Sequence, residues 1–182
     1  MLYKCYAEAE AGKAFDKQLK AIEDRYNEII KGLGLKLSLK ENFETIRKNF
    51  EAKAGEDYAA SRGEYLNGIV MANYLGYEFV DAATVVCFDK NGEFDAEKTN
   101  KTMAARLKGV EKAVIPGFYG AMPNGTVKTF SRGGSDVTGS IVARAIKADI
   151  YENWTDVSGF MVADPRIEEN PKSIDIITYR EL

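Results

Sequence analysis

The sequence predicts an α/β fold with a mainly parallel sheet and helices on its faces. Three observations carry this expectation. Apolar residues before Gly76 recur every three or four positions, the spacing of helix faces. After Gly76, short β-branched runs alternate with a helical segment. An Asn-Gly pair at 124–125 marks a hairpin inside that second half.

Taken in order, Phe15, Leu19, Ile22, Tyr26, Ile29 and Leu33 line one face of a first helix, and Gly32 and Gly34 end it. Ser38-Leu39-Lys40-Glu41 has the form of a capping box, with Phe43, Ile46 and Phe50 following at helical spacing. A third helix is expected from about Asp57 to Leu75, stopped by Gly76. Strands are expected at "TVVCF" (84–88), "KAVIPGF" (112–118) and "TVKTF" (126–130), with a helix from Glu97 to about Leu107 and a hairpin over 118–130. A helix follows "RGGSD", then a strand near 149–154 and a polar loop. The chain therefore reads as one domain, mainly helical over 1–76 and α/β over 77–182.

Its 182 residues suffice for a sizeable core. A net charge of −3 argues against general nucleic-acid binding, which wants a basic face. No apolar run is long enough to span a membrane, and no secretory signal opens the chain. Cys5 and Cys87 make neither a metal spacing nor a disulfide framework, so they are read as reduced thiols of a cytoplasmic protein. There is no histidine. That removes Ser-His-Asp and Cys-His catalysis and imidazole acid–base chemistry together. Phosphoryl transfer fits what is left, because it depends on charge placement more than on proton shuttling.

Three stretches are candidates for that chemistry. In "SRGGSD" (131–136), Gly133 and Gly134 permit close backbone approach, and Ser135 is a candidate N-cap of the following helix. Free amides at a helix start suit an anion, Arg132 adds a fork for a carboxylate or phosphate, and Asp136 suits an ammonium group. The same residue types equally describe a capped helix with an exposed Arg–Asp pair. In "WTDVSGFMVADPR" (154–166), Thr155 and Asp156 suit a nucleotide and Arg166 a phosphate, at the strand end where α/β sheets bind ligands. Simple turn chemistry also accounts for this loop. In "SRGE" (61–64), a glycine inside a helix costs roughly 1 kcal/mol relative to alanine and invites a close-packing or ligand explanation. Glu64 suits an amino group, although a solvated face carrying Arg62 and Glu64 explains the stretch as well.

Together and in this order, "SRGE" (61–64), "GFYG" (117–120), "SRGGSD" (131–136), "WTDVSG" (154–159), "ADPR" (163–166) and "IDIITYREL" (174–182) resemble the aspartokinases of the amino-acid kinase family. The likeness is good over about 57–182 and looser before. It implies the three-layer α/β/α amino-acid kinase fold, incomplete at both ends, and transfer of the ATP γ-phosphoryl group, with Mg²⁺, to the side-chain carboxylate of L-aspartate. That is the first step toward lysine, threonine and methionine. By the resemblance, Arg132 holds the substrate α-carboxylate and Glu64 its amino group, while Phe118, Gly133 and Ser135 line the pocket. Asp136 organises catalytic lysines, Thr155 and Asp156 hold adenosine, and Arg166 holds phosphates.

The departures are specific. The family's "KFGG" strand, its second catalytic lysine and its regulatory ACT domains are not among these residues, Met161 stands where many members have tyrosine, and Ser131 where glycine is common. The expectation is therefore a catalytic-domain fragment, inactive alone. The alternatives are a non-catalytic aspartate- or nucleotide-binding module and a purely structural one. Uncovered sheet edges and apolar surface predict partner contacts or a tendency to aggregate. A homodimer and an oligomeric full-length enzyme are expected as well.

Overall fold

The computed structural model describes residues 1–131, 134–154, 161–163 and 167–178. The chain divides into two units, Met1–Tyr151 and Glu152–Leu182.

The first unit opens with four helices: α1 (Leu2–Glu10), α2 (Asp16–Gly32), α3 (Lys40–Glu51) and α4 (Glu56–Leu75). The expected periodic faces are the buried ones. Leu19 and Ile22 of α2 join Phe43, Ile46 and Phe50 of α3 in a single apolar core with Cys5 and Tyr6 of α1. Phe50 is its hub, meeting the rings of Tyr6, Phe15 and Tyr58 edge-on at 5.5, 6.1 and 6.2 Å. Burial first, then the charge of Glu8, pushes the Cys5 thiol up to about 11. Cys5 and Cys87 are both free thiols.

Local chemistry departs from expectation at one cap. Helix α3 starts at Lys40 with Leu39 as its N-cap, so the Ser38 hydroxyl accepts from the Lys40 amide, at 3.4 Å, and not from Glu41. Helix α4 behaves as read: Gly76 ends it in the left-handed conformation, at φ 68°. Buried residues lie all around α4, because helices cover one side and strands the other.

Beyond α4, β1 (Glu78–Phe79) pairs in parallel with β2 (Ala113–Val114), and α5 (Ala96–Leu107) makes the crossover that parallel pairing requires. The Asp95 carboxylate caps α5 by accepting from the Lys98 amide at 2.9 Å. The hairpin is β3 (Tyr119–Ala121) against β4 (Val127–Thr129), closed by a turn in which Gly125 takes φ 84°. The chain then enters α6 (Gly134–Ile146). This is an α/β arrangement, with a second core of Val80, Val85, Val86, Phe88, Met103 and Tyr119 between the strands and helices.

Two expected strands differ. Residues Ala82–Thr84 form a 3₁₀ turn. Asp81 drives it, its carboxylate accepting from the Ala83 amide at 3.0 Å while the Thr84 hydroxyl donates to its carbonyl at 2.6 Å. Only Cys87 and Phe88 then pair, Cys87 in parallel with Ala121. Residues 149–154 carry no strand. In the second unit, Met161 and Ser173 form an antiparallel bridge, and the Trp154 indole donates to the Glu152 carboxylate at 3.1 Å.

The start of α4 is tied to the hairpin by Asp57, whose carboxylate accepts from the Thr129 hydroxyl at 2.6 Å and the Lys128 ammonium at 3.0 Å. Burial raises the Asp57 pKa, but the Thr129 and Lys128 bonds together outweigh it and hold it below the ordinary 3.8. A depressed folded-state pKa gives stability that is complete above the unfolded value and lost as pH falls through the folded one. In urea titrations, the stability gap between wild type and Asp57→Asn is expected to be constant above about pH 5 and to shrink as pH falls below about 4. A gap independent of pH would remove Asp57 from the ledger.

Candidate active site at the start of helix α6

The first turn of α6 lies directly on the Gly117–Phe118 turn. A Cβ at Gly117 would stand 2.9 Å from the Ser135 Cα, and one at Gly134 would stand 2.5 Å from the Phe118 Cβ. Both glycines therefore serve a close approach, which other side chains would hold apart. Phe118 takes φ 63°, a left-handed conformation unusual for a residue with a Cβ. Its amide donates to the Thr138 hydroxyl at 3.0 Å, and its carbonyl accepts from the Phe130 amide at 2.9 Å.

A cavity of about 660 Å³ opens beside this junction, a size suited to a small ligand. Glu64, Asn67 and Gly68 of α4 form one wall, and Gly117, Ser135 and Thr138 form another. The remainder is mostly apolar, with Met71, Val114, Val142 and Ile146, but it includes a second acid, Glu111. Tyr151 lies on α6 where Gly139 leaves the helix bare; a Cβ there would stand 2.4 Å from its hydroxyl. Glu64 is exposed toward solvent. Burial and then the Glu64 carboxylate raise the pKa of Tyr26, whose hydroxyl donates to the Gly63 carbonyl at 3.0 Å. The cavity thus offers the Glu64 carboxylate on one wall, with Glu111 also in its lining, and on the other wall the partial positive charge of a helix start. A small zwitterion is the matching ligand class.

Of the expected site residues, Glu64 and Ser135 share this cavity, and Phe118 forms the turn beneath it. Ser135 lies within the first turn of α6 and not at its cap, because the helix already begins at Gly134. Asp136 is on the same turn and exposed. Arg132, Gly133, Thr155, Asp156 and Arg166 lie outside the described residues.

Two features escaped the sequence reading. Arg62 is no surface residue: it is 5% exposed, with its guanidinium 4.5, 4.4 and 5.4 Å from the ring centroids of Tyr58, Tyr65 and Tyr119. A signal was present, since Tyr58, Arg62 and Tyr65 share a helix face by spacing. The close packing expected at Gly63 is also absent, the nearest atom to a Cβ there being Leu2 Cδ1 at 3.7 Å. Gly63→Ala is accordingly expected to raise stability by up to about 1 kcal/mol in urea unfolding; destabilisation would mean that this space is not free.

Comparison with known proteins bears on this arrangement. The model of the amino acid kinase family matches residues 10–182. The chain belongs to that family. Among curated relatives, aspartokinase 3 of Bacillus subtilis is 31% identical over all of this chain and 43% of its own length. Among solved structures, Clostridium acetobutylicum aspartate kinase superposes with a TM-score of 0.90 at 54% identity, covering 99% of this chain and 42% of that one. E. coli aspartokinase III, solved in complex with aspartate and ADP, gives a TM-score of 0.73 at 27% identity, over 96% of this chain and 44% of that one. The amino acid kinase segment here thus spans less than half the length of these relatives.

Proposed function

We propose that this chain carries the aspartate site and part of the nucleotide site of an ATP-dependent aspartate kinase. The observation behind this is that Glu64 and Ser135 line one cavity at the start of α6, in a chain similar to aspartate kinases along its whole length. In this reading residues 77–182 hold most of the substrate and nucleotide motifs, and the helices of 1–76 support them and contribute Glu64. Glu64 takes the substrate's amino group; Arg132 takes its α-carboxylate, with Phe118, Gly133 and Ser135 around it. One oxygen of the side-chain carboxylate then attacks the γ-phosphorus in line. The new P–O bond makes 4-phospho-L-aspartate as the bond to the bridging oxygen breaks and ADP leaves. Asp136 orients lysines that are not among these 182 residues, Thr155 and Asp156 bind adenosine, and Arg166 binds phosphate. The ADP and aspartate of the E. coli complex support this choice of ligands.

Among the described residues no group of three or more carboxylate or thiol side chains is arranged to hold a metal ion. Mg²⁺ in this reading arrives on the nucleotide's phosphates and water, where it neutralises charge, and no residue here is assigned to it. Two free thiols support a reducing, cytoplasmic setting. No helix among the described residues is long and apolar enough to cross a membrane. Self-association as a homodimer belongs to the same proposal.

A chimaera tests the activity. Placed in the corresponding segment of the C. acetobutylicum enzyme, these residues are expected to sustain L-aspartate-dependent ADP release, whereas the 182-residue chain alone does not turn over. A folded but silent chimaera would overturn the kinase reading, and robust turnover by the chain alone would overturn its inactivity.

A further inference from the structure

The Thr138 hydroxyl makes two bonds of fixed polarity. It donates its one proton to the Gly134 carbonyl at 2.7 Å and so presents a lone pair to the Phe118 amide, which donates to it at 3.0 Å. Thr138 is 3% exposed, so neither partner finds bulk water in its place. The bond to Gly134 alone is the ordinary one-turn bond of a helical threonine. The second is different, because it crosses from α6 to Phe118, which with Lys53 and Lys147 makes up the described residues other than glycine that stand in the left-handed region. Left-handed backbone in such a residue persists where its surroundings over-determine it. Here the Phe130 amide holds the Phe118 carbonyl, the Gly134 surface closes on its side chain, and Thr138 holds its amide.

We infer that Thr138 is a positioning residue: its hydroxyl latches the left-handed Phe118 turn to the first turn of α6 and thereby sets the affinity of the cavity for its zwitterionic ligand. Thr138 lines the cavity, but the Gly134 carbonyl and the Phe118 amide engage its hydroxyl, which therefore makes no hydrogen bond to the ligand; the affinity arm rests on the aspartate reading above. Removing the hydroxyl frees the Phe118 amide to pull away, which shifts Gly117 from Ser135 within their shared wall and leaves the α4 wall in place.

The test uses Thr138→Val, which keeps the shape and deletes the hydroxyl, and Thr138→Ser, which restores it. Thr99→Val is the control. Its hydroxyl is equally buried and accepts from the Cys87 amide at 2.9 Å, away from the cavity. Two quantities are read on the 182-residue chain: hydrogen exchange of the Phe118 amide by NMR, and L-aspartate affinity by calorimetry. Thr138→Val is expected to speed Phe118 exchange and weaken aspartate binding, each about tenfold, the scale of one buried hydrogen bond. Thr138→Ser returns both, and Thr99→Val moves neither while losing comparable stability. Unchanged Phe118 exchange in Thr138→Val, or a serine variant that behaves like valine, would overturn the latch. Failure of the wild-type chain to bind aspartate would instead count against the kinase reading, and the exchange arm would still decide the latch.

Discussion

Gly134→Ala is expected to cost about 2–3 kcal/mol of stability, although alanine is the better helix former. Gly134 carries no positive φ, so the cost is purely one of space. The new methyl would stand 2.5 Å from the Phe118 Cβ, 2.7 Å from its Cα and 3.1 Å from the Phe130 Cβ. A flexible side chain could swing aside, but a Cα cannot. The helix start and the Phe118 turn must therefore separate, and L-aspartate affinity should fall with stability. Gly63→Ala is the matched control, the same change in a helix with nothing nearer than 3.7 Å, and it is expected to have the opposite sign. Urea unfolding of the two variants checks the pair. Equal effects would show that the junction is looser than described.

Arg62→Ala is the second large effect, at about 3–4 kcal/mol. The Arg62 Nε and Nη2 donate to the Ser61 hydroxyl at 3.2 and 3.0 Å, and that hydroxyl donates onward to the Tyr58 carbonyl at 2.8 Å. Three tyrosine rings supply the rest of its surroundings. The Tyr119 hydroxyl donates to the Asp81 carboxylate at 2.7 Å. Burial, then the Asp81 charge, drives the Tyr119 pKa far up, and the opposing pull of Arg62 does not offset this. That phenol stays protonated and keeps its bond. Truncation of Arg62 opens a void among the rings and loosens Tyr119, the neighbour of Phe118. Arg62→Lys keeps the charge but not the flat, stacking surface, and is expected to cost about half as much. Urea unfolding decides it. A loss under about 1 kcal/mol for Arg62→Ala would mean that the cage carries little.

What could be read from sequence divides along the range of the interactions. Helix α4 with its Gly76 stop, α5, and the Asn124-Gly125 hairpin follow from nearby residues, and they stand where the spacing puts them. The run at 84–88 has the β-branched content of a strand, but Asp81 and Thr84 offer the backbone a tighter local alternative. Ser38 misses its expected partner for a similar reason, since the helix it was to cap begins at a slightly different residue. At the cavity, residue types pointed to Glu64 and Ser135, and the resemblance to aspartokinases added Phe118. They did not reveal Arg62 as buried, because what covers it includes Tyr119 from a distant strand. Nor did they reveal Thr138, whose meaning depends on a bond between segments far apart in the chain.

The central claim is that Glu64 and the start of α6 together read the two charged groups of an amino acid. Succinate tests it most directly, because it keeps both carboxylates of aspartate and lacks the amino group. Calorimetric titration of the 182-residue chain is predicted to give one-to-one L-aspartate binding at least tenfold tighter than succinate binding, on the scale of one charge-assisted hydrogen bond. In Glu64→Gln that preference is predicted to vanish while succinate affinity holds. Equal affinity for the two ligands in the wild-type chain, or a preference that survives in Glu64→Gln, would contradict the account.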